Sequence, residues 1–438
     1  MINTQQLVAK LQPYLNGQPL WLAFSGGLDS TVLTHLLANS FDDLPLRLVH
    51  VNHQLNPNSG QWANQCQQFA DTLGLPITTL TVNVDLSSGA SLEAAARQAR
   101  YDAIARHIGD DGILVTGQHL QDQAETLMLQ LLRGAGNRGL SAMSFASKWH
   151  KMTILRPLLQ IEQSELVAYA THHQLPYVDD PSNDDDSIQR NFLRHKIWPL
   201  LKTRWPAVNQ LLSRSADHLR EAQSLLDEMA ESDLKLISAN FVEKTLSCSA
   251  LLALSPARQR NVLRYFLHLT TSPLPTTVIL QKIIDEVCAA KLDAQPLVQW
   301  SGNEARRFGD KLYVQKSLPE VPPDWFTNIN KPSSVGLPDG RYLDWKKVSS
   351  GIKQGCFDAG LTVRFRQGGE KIQLAGHLHR HDLKNCLQQW QIPPWQRVRL
   401  PLLFAGEELL AVADHAISAK ALTAEGEQGW WPFVRDAD

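Results

Sequence analysis

Four times in its first 145 residues this chain sets a short apolar run before a helical pattern, and that rhythm limits the fold more than any other feature. WLAF (21–24), LRLVHVNH (46–53), ITTLTVNV (77–84) and GILVTGQH (112–119) read as buried strands, each bounded by turn residues. Between and after them, residues 30–38, 62–73, 91–108 and 121–133 carry apolar residues at helical spacing. Ser91 can cap the third helix, and Glu93 sits near its positive end. Strands separated by helices pair in parallel through right-handed crossovers. The expectation is an α/β fold: an N-terminal doubly wound parallel sheet with helices on both faces, binding ligands beyond the carboxyl ends of its strands.

The rest of the 438 residues reads differently. From about 160 to 230 the pattern is helical around a polar insert, DDPSNDDDS (179–187), with a helical linker near 216–232. Residues 247–315 suggest a small mixed domain. SLPEVPPDWFTNINKPSSV (317–335) reads as a linker, and 336–438 as a Gly- and Trp-rich domain of short strands. This gives domains at 1–215, 216–316 and 336–438: a sheet domain, then a helical linker and two smaller C-terminal domains. No run of eighteen apolar residues calls for a membrane span, and the first residues lack a secretory pattern. The five scattered cysteines include no C-x-x-C pair, against a disulfide framework or a zinc site. A cytoplasmic protein is expected.

The net charge of −2 hides segregation. Residues 1–187 are acidic, whereas 188–220 hold seven Lys/Arg against one Asp. Residues 361–401 hold seven against two acids, with His377, His379 and His381 added. Two basic stretches on an acidic chain suit a polyanion held at defined places. Two solvated faces would read the same way.

Directly after the first strand stands Ser25-Gly26-Gly27-Leu28-Asp29-Ser30, opening a helix. Two glycines let the backbone turn tightly and bring N–H groups up to an anion, and the helix start adds about half a positive charge. A carboxylate beside phosphates repels them unless a cation bridges, so Asp29 implies Mg²⁺. The Walker spacing and its Lys are missing. A plain glycine turn with a Ser/Asp cap is the alternative.

This motif resembles that of the PP-loop ATP pyrophosphatases (adenine nucleotide alpha hydrolase-like), which split ATP between the α and β phosphates. TGQHLQDQAETLMLQLLRGAGNRGLSAM (116–143), HVNHQL (50–55), EAAARQARY (93–101), RPLL (156–159), 178–201 and 384–414 are together similar to the tRNA(Ile)-lysidine synthetase family. The likeness covers blocks within the first 215 residues and most of the last 80. It implies ATP-dependent attachment of free lysine to carbon 2 of the wobble cytidine in a CAU-anticodon isoleucine tRNA, through an adenylated cytidine. It also admits a homodimer.

The resemblance assigns roles by position. Ser25, Gly26, Gly27, Leu28, Asp29 and Ser30 would hold pyrophosphate, with Asp29 placing Mg²⁺. Arg97 and Arg100 share a helix face, and at least one, Arg97 first, would meet ATP. His119 would lie at the nucleotide. Asp122 and Glu125, three apart, are assigned to bind lysine and accept its proton, or to hold the metal. Lysine must attack as a neutral amine, and with a pKa near 10.4 that costs roughly 4–5 kcal/mol at pH 7. A helix-start acidic cap is the plain reading of the same pair. The family usually has two acids where this chain has Gln121-Asp122, and Gln118 stands where His is common, so Asp122 alone must serve. His50, Asn52 and His53 end the second strand near the adenosine. Arg190, Asn191 and Arg194 would order the site wall or meet the tRNA, with 179–187 a flap or a solvated loop. Arg364, Arg366, Lys371, Lys384, Arg397 and Arg399, with Trp390 and Trp395, fit a tRNA-gripping surface, though tryptophans so spaced are more often core. A tRNA thiolase would need paired reactive cysteines, an amidotransferase a glutaminase, and a non-catalytic RNA binder would not need Asp29, Arg97 and Asp122 together.

Overall fold

The computed structural model describes residues 2–15, 17–40, 45–54, 56–84, 92–291 and 294–437. Ser91, the expected cap, lies outside them. The chain divides into two compact units, Met1–Glu228 and Met229–Asp438.

In the first unit the elements run α1 (Thr4–Leu11), β1 (Leu20–Ala23), α2 (Leu28–Ala38), β2 (Leu46–Asn52), α3 (Ser59–Thr72), β3 (Ile77–Thr81), α4 (Leu92–Ile108), β4 (Ile113–Val115), α5 (Leu120–Leu132) and α6 (Asn137–Leu140). A hairpin, β5 (Ala146–Trp149) and β6 (Met152–Leu155), and α7 (Gln163–His172) follow. The sheet order is β3-β2-β1-β4-β6-β5, parallel except for the edge strand β5. Strand alternation feeds two cores. Leu20, Leu22, Leu46, Leu48, Ile113 and Val115 face α2, α3 and α7, while Val49, Leu114 and Ile154 face Tyr101 and Ile104 of α4. The doubly wound sheet expected from the alternation is thus present. Its strand order reverses between β1 and β4, where such folds open a crevice.

β4 is shorter than the apolar run 112–119 suggests, for a steric reason. Thr116 N–H makes a last bond to Leu155 O (3.0 Å), then the chain leaves the sheet to cross the start of α2. A Cβ on Gly117 would stand 3.2 Å from the backbone carbon of Asp29 and the nitrogen of Ser30. His119 is then free to cap α5.

After α7, the insert 179–187 folds as a turn rather than a free flap. Asn191 Nδ2 donates to Ser182 O (2.9 Å) and Asp185 O (3.0 Å), and Asp186 takes His195 and Lys196 at 2.9 Å each. Helix α8 (Gln189–Phe192), a π turn (Leu193–Ile197) and α9 (Trp198–Arg204) pack on α5 through buried Leu193 and Trp198. The expected helical linker is the middle of a 29-residue helix, α10 (Val208–Leu236).

In the second unit, helices and a four-stranded antiparallel sheet (Thr245–Ser247, Lys311–Lys316, Asn303–Phe308, Leu297–Trp300) share one core. Three more sheets, of five, three and two strands, build the C-terminal part. Phe326–Ile329, inside the stretch read as a linker, is a strand paired with Leu361–Arg364. Prolines and serines around it masked four residues of alternating burial. No helix among the described residues is long and apolar enough to cross a membrane.

Candidate active site

The site begins where β1 stops. Phe24 N–H still pairs with Val49 O, and Gly26 then turns the chain with φ of +82°. Gly27 leads into α2, and Ser25 Oγ lies 3.1 Å from Ser30 Oγ across the turn. Ser30 Oγ donates to Gly27 O (3.0 Å), and Gly26 O accepts from Val178 N–H (2.9 Å). The loop is therefore pinned from both sides, with the first turn of α2 opening beside it. Ser25, Gly27 and Ser30 line a cleft of about 360 Å³ above β1 and β4, a ready anion cradle.

Helix α4 supplies the opposite wall. Arg97 and Arg100 both line the cleft. The Arg97 guanidinium sits 4.9 Å from the centre of the Tyr101 ring. Arg100 Nε donates to His53 Nε2 (3.2 Å). Burial, Arg100 and His50 hold His53 down to about 4, so the ring is a neutral acceptor. His50 does not reach the nucleotide wall: it is buried, bonded through Nδ1 to Phe24 O (2.9 Å), and 3.5 Å from Cys66 Sγ.

The acidic residues gather at the start of α5. His119, almost fully buried, caps that helix and accepts through Nδ1 from Gln121 N–H (3.2 Å). With Nδ1 accepting, the hydrogen-bearing nitrogen is Nε2, which lies 3.8 Å from Asp29 Oδ2 and 3.6 Å from Asp122 Oδ2. Burial pushes the Asp29 carboxyl up to about 6; Asp122 and Glu125 add to this, while His119 and Arg194 oppose it. Asp122 is also penalised by burial, but His119, Arg190 and Arg194 outweigh the penalty and hold it below its usual range. Asp122 and Arg190 face the cleft.

Glu125 stands one layer behind. It is fully buried and takes Arg194 on both oxygens, plus Gln121 Nε2 at 3.0 Å. Lys202 Nζ bonds the other end of Gln121 (3.2 Å). At position 121, where the family pattern has an acid, this chain thus has a neutral bridge between a lysine and Glu125.

A divalent cation fits one place. Asp29 Oδ1 is buried without a hydrogen-bond partner, an acceptor waiting for a positive group. Among the described residues no three His, Cys, Asp or Glu side chains form a metal cluster. Such a cation would take its other oxygens from phosphates and water, the habit of Mg²⁺.

The PP-loop domain family matches residues 2–201, the TilS substrate binding domain 246–313 and the TilS substrate C-terminal domain 361–433. The tRNA(Ile)-lysidine synthase of Coxiella burnetii is 42% identical, over 94% of this chain and 91% of its own length. That of Pseudomonas fluorescens is 41% identical over 97% and 95%, and that of Alkalilimnicola ehrlichii 40% over 92% and 91%. The chain belongs to the tRNA(Ile)-lysidine synthase family. Its N-terminal unit is accordingly an ATP-using PP-loop domain, and the protein is an enzyme of the ligase class.

In this lysidine synthase family member the C-terminal residues named from sequence divide into two groups. Trp395 is buried, edge-on to Tyr313 (5.4 Å) and beneath Arg306. Arg399 is buried too, held by Pro319 O and Asp339 Oδ2 (2.8 Å). Arg364 and Arg366 flank Glu370 at 3.6 and 3.5 Å. Trp395 and Arg399 thus belong to the core, whereas Arg364 and Arg366 are half-buried beside Glu370. Lys371 and Lys384 stay exposed.

Several residues of the site were missed from sequence. Gly117 could have been found as a glycine directly after a strand. Tyr101 lies one helical turn from Arg97. Lys202 carries no local signal, because only the packing of α9 on α5 brings it near.

Proposed function

We propose that this protein makes lysidine at the wobble cytidine of CAU-anticodon isoleucine tRNA, from ATP and free lysine with Mg²⁺. One observation supports this most: the Ser25–Ser30 turn, Arg97 and Arg100 of α4, Asp122 of α5 and Arg190 of α8 all line one cleft. That cleft is cationic along one wall and acidic at its floor.

In this reading the turn and the start of α2 hold the β- and γ-phosphates, and Arg97 and Arg100 lie along the nucleotide. The cytidine O2 attacks the α-phosphorus, forming an O–P bond as the bond to pyrophosphate breaks. The lysine amine then attacks carbon 2. The C2–O2 bond breaks, and AMP leaves with that oxygen. Mg²⁺ held at Asp29 would neutralise charge growing on the phosphate oxygens. Asp122, kept ionised by its cationic neighbours, receives the lysine ammonium and takes up its proton during attack. His119 directs its Nε2–H between Asp29 and Asp122 and holds both carboxylates in register. Glu125 does not touch substrate; it positions Arg194, and through it Asp122.

The test incubates the protein with Mg-ATP, radiolabelled lysine and an unmodified CAU isoleucine tRNA transcript, and counts label precipitated with RNA. Label on this tRNA but not on the methionine tRNA supports the reading. Pyrophosphate released without label rules out lysine as the nucleophile. Neither product, from folded protein that binds ATP, overturns the proposal in favour of a non-catalytic RNA binder.

A further inference from the structure

Gln121 borders the acidic cluster without facing the cleft. Asp122 lines the cleft, whereas Gln121 beside it is only 4% exposed and turns toward α9. Its amide is gripped at both ends. Nε2 donates to Glu125 Oε1 (3.0 Å), and Oε1 accepts from Lys202 Nζ (3.2 Å). Those partners leave the amide one orientation, because an ammonium can only donate and an ionised carboxylate can only accept. A reversed amide would set its oxygen against the Glu125 oxygen and its NH2 against the ammonium.

Lys202 is exposed near the end of α9. Among the described residues it forms no ion pair, and Gln121 is the partner it holds. An exposed lysine gives up rotamer freedom to make such a bond. The bond leads inward. Glu125 Oε1 takes the amide and Arg194 Nε (2.9 Å), Oε2 takes Arg194 Nη2 (2.9 Å), and the same Nη2 reaches Asp122 Oδ1 (3.2 Å). Lys202, Gln121, Glu125, Arg194 and Asp122 are thus links of one hydrogen-bonded chain from the surface of α9 to the floor of the cleft. A buried carboxylate that loses one donor draws harder on those that remain. Here the remaining donor is the guanidinium that steadies Asp122.

We propose that Lys202 and Gln121 are positioning residues of the lysine subsite: Lys202 locks the Gln121 amide as a donor to Glu125, which leaves Arg194 free to share its second prong with Asp122. This rests on the proposed function, in which Asp122 receives the substrate ammonium. Neither the Ser25–Ser30 turn nor α4 belongs to this chain of bonds, so its effect falls on lysine rather than on ATP.

The test compares the full-length parent with Lys202→Met, Lys202→Arg, Gln121→Met and the double variant Lys202→Met/Gln121→Met. It measures melting temperature and, in the lysidine assay, kcat and the KM for lysine, ATP and tRNA. Lys202→Met, at an exposed position, should fold as the parent does and raise the KM for lysine roughly three- to tenfold, with the KM for ATP and for tRNA nearly unchanged. Lys202→Arg keeps a donor for the amide and should stay near the parental KM. The double variant should be no worse than Gln121→Met alone, because the lysine acts through the amide. Effects that multiply in the double variant would overturn the relay. A KM for tRNA that rises while that for lysine does not would make Lys202 an RNA contact instead. A change in melting temperature with an unaltered KM for lysine would make it a packing residue. In each of those cases the inference falls with the function untouched. If the parent itself attaches no lysine to the tRNA, the functional reading falls, and this inference with it.

Discussion

Glu125 and Arg194 form a two-pronged pair, Nε to Oε1 and Nη2 to Oε2 both at 2.9 Å, around a carboxylate with no exposure to solvent. The same Nη2 reaches Asp122 Oδ1 at 3.2 Å, so the buried acid and the acid of the cleft share one guanidinium. Removing one partner of such a pair strands the other. Glu125→Ala should therefore lower stability by about 3–5 kcal/mol in denaturant unfolding. It should also reduce kcat for lysidine formation far more than ATP affinity, because the α4 wall is intact. A variant with parental stability and rate would show that Arg194 does not depend on Glu125.

Gly26 is constrained twice. Its φ is positive, and a Cβ there would stand 2.8 Å from Cys66 Sγ, itself buried under the loop. Gly26→Ala should cost about 1–2 kcal/mol from the backbone alone, with more from the contact, and weaken ATP binding by distorting the cradle. Adding Cys66→Gly should restore the steric part and leave the backbone part. That coupling is measurable as a double-mutant cycle on thermal unfolding. Strict additivity would mean that the thiol does not hold the loop in place.

These two pairs also mark how far the sequence could be read. The alternation of apolar and helical segments located every parallel strand up to β4, and with them the crevice, because that periodicity is local. The glycine turn and the arginine spacing on α4 were legible for the same reason. The layering of Asp122 in front of Glu125 was not, since two acids three apart on a helix look equivalent until α8 and α9 bury one of them. Trp395 and Arg399 fit a basic, aromatic surface in composition, yet Asp339, Tyr313 and Pro319 claim them. Those partners lie 60 to 82 positions away, beyond any local pattern.

His53 accepts from Arg100, so protonating it sets two cations together. Its folded pKa is down to about 4, against an ordinary 6.5. The unfolded chain therefore binds the extra proton first as pH falls, and stability contributed at this position is lost between about 6.5 and 4. His53→Gln, which can still accept from Arg100 but does not titrate, should flatten the melting temperature over that window. It should leave the value at pH 8 nearly unchanged. An unaltered acid limb would place the sensitivity elsewhere.

Asp29 has the opposite sign. Burial lifts its carboxyl from 3.8 to about 6, so between those values the folded protein holds the proton more tightly than the unfolded chain. Stability from this group is present in full below about pH 4 and declines as pH rises through 6. Asp29→Asn removes the ionisation while keeping the shape. Without nucleotide or metal the variant should melt above the parent at pH 8, with the gap closing by pH 4. With Mg-ATP the order should reverse, since the parent gains the complex and the variant loses the oxygen proposed to hold the cation. A carboxylate that weakens the empty fold at working pH is kept for its ligand. Equal melting temperatures at pH 8 without ligand would remove that argument, even if the variant were inactive.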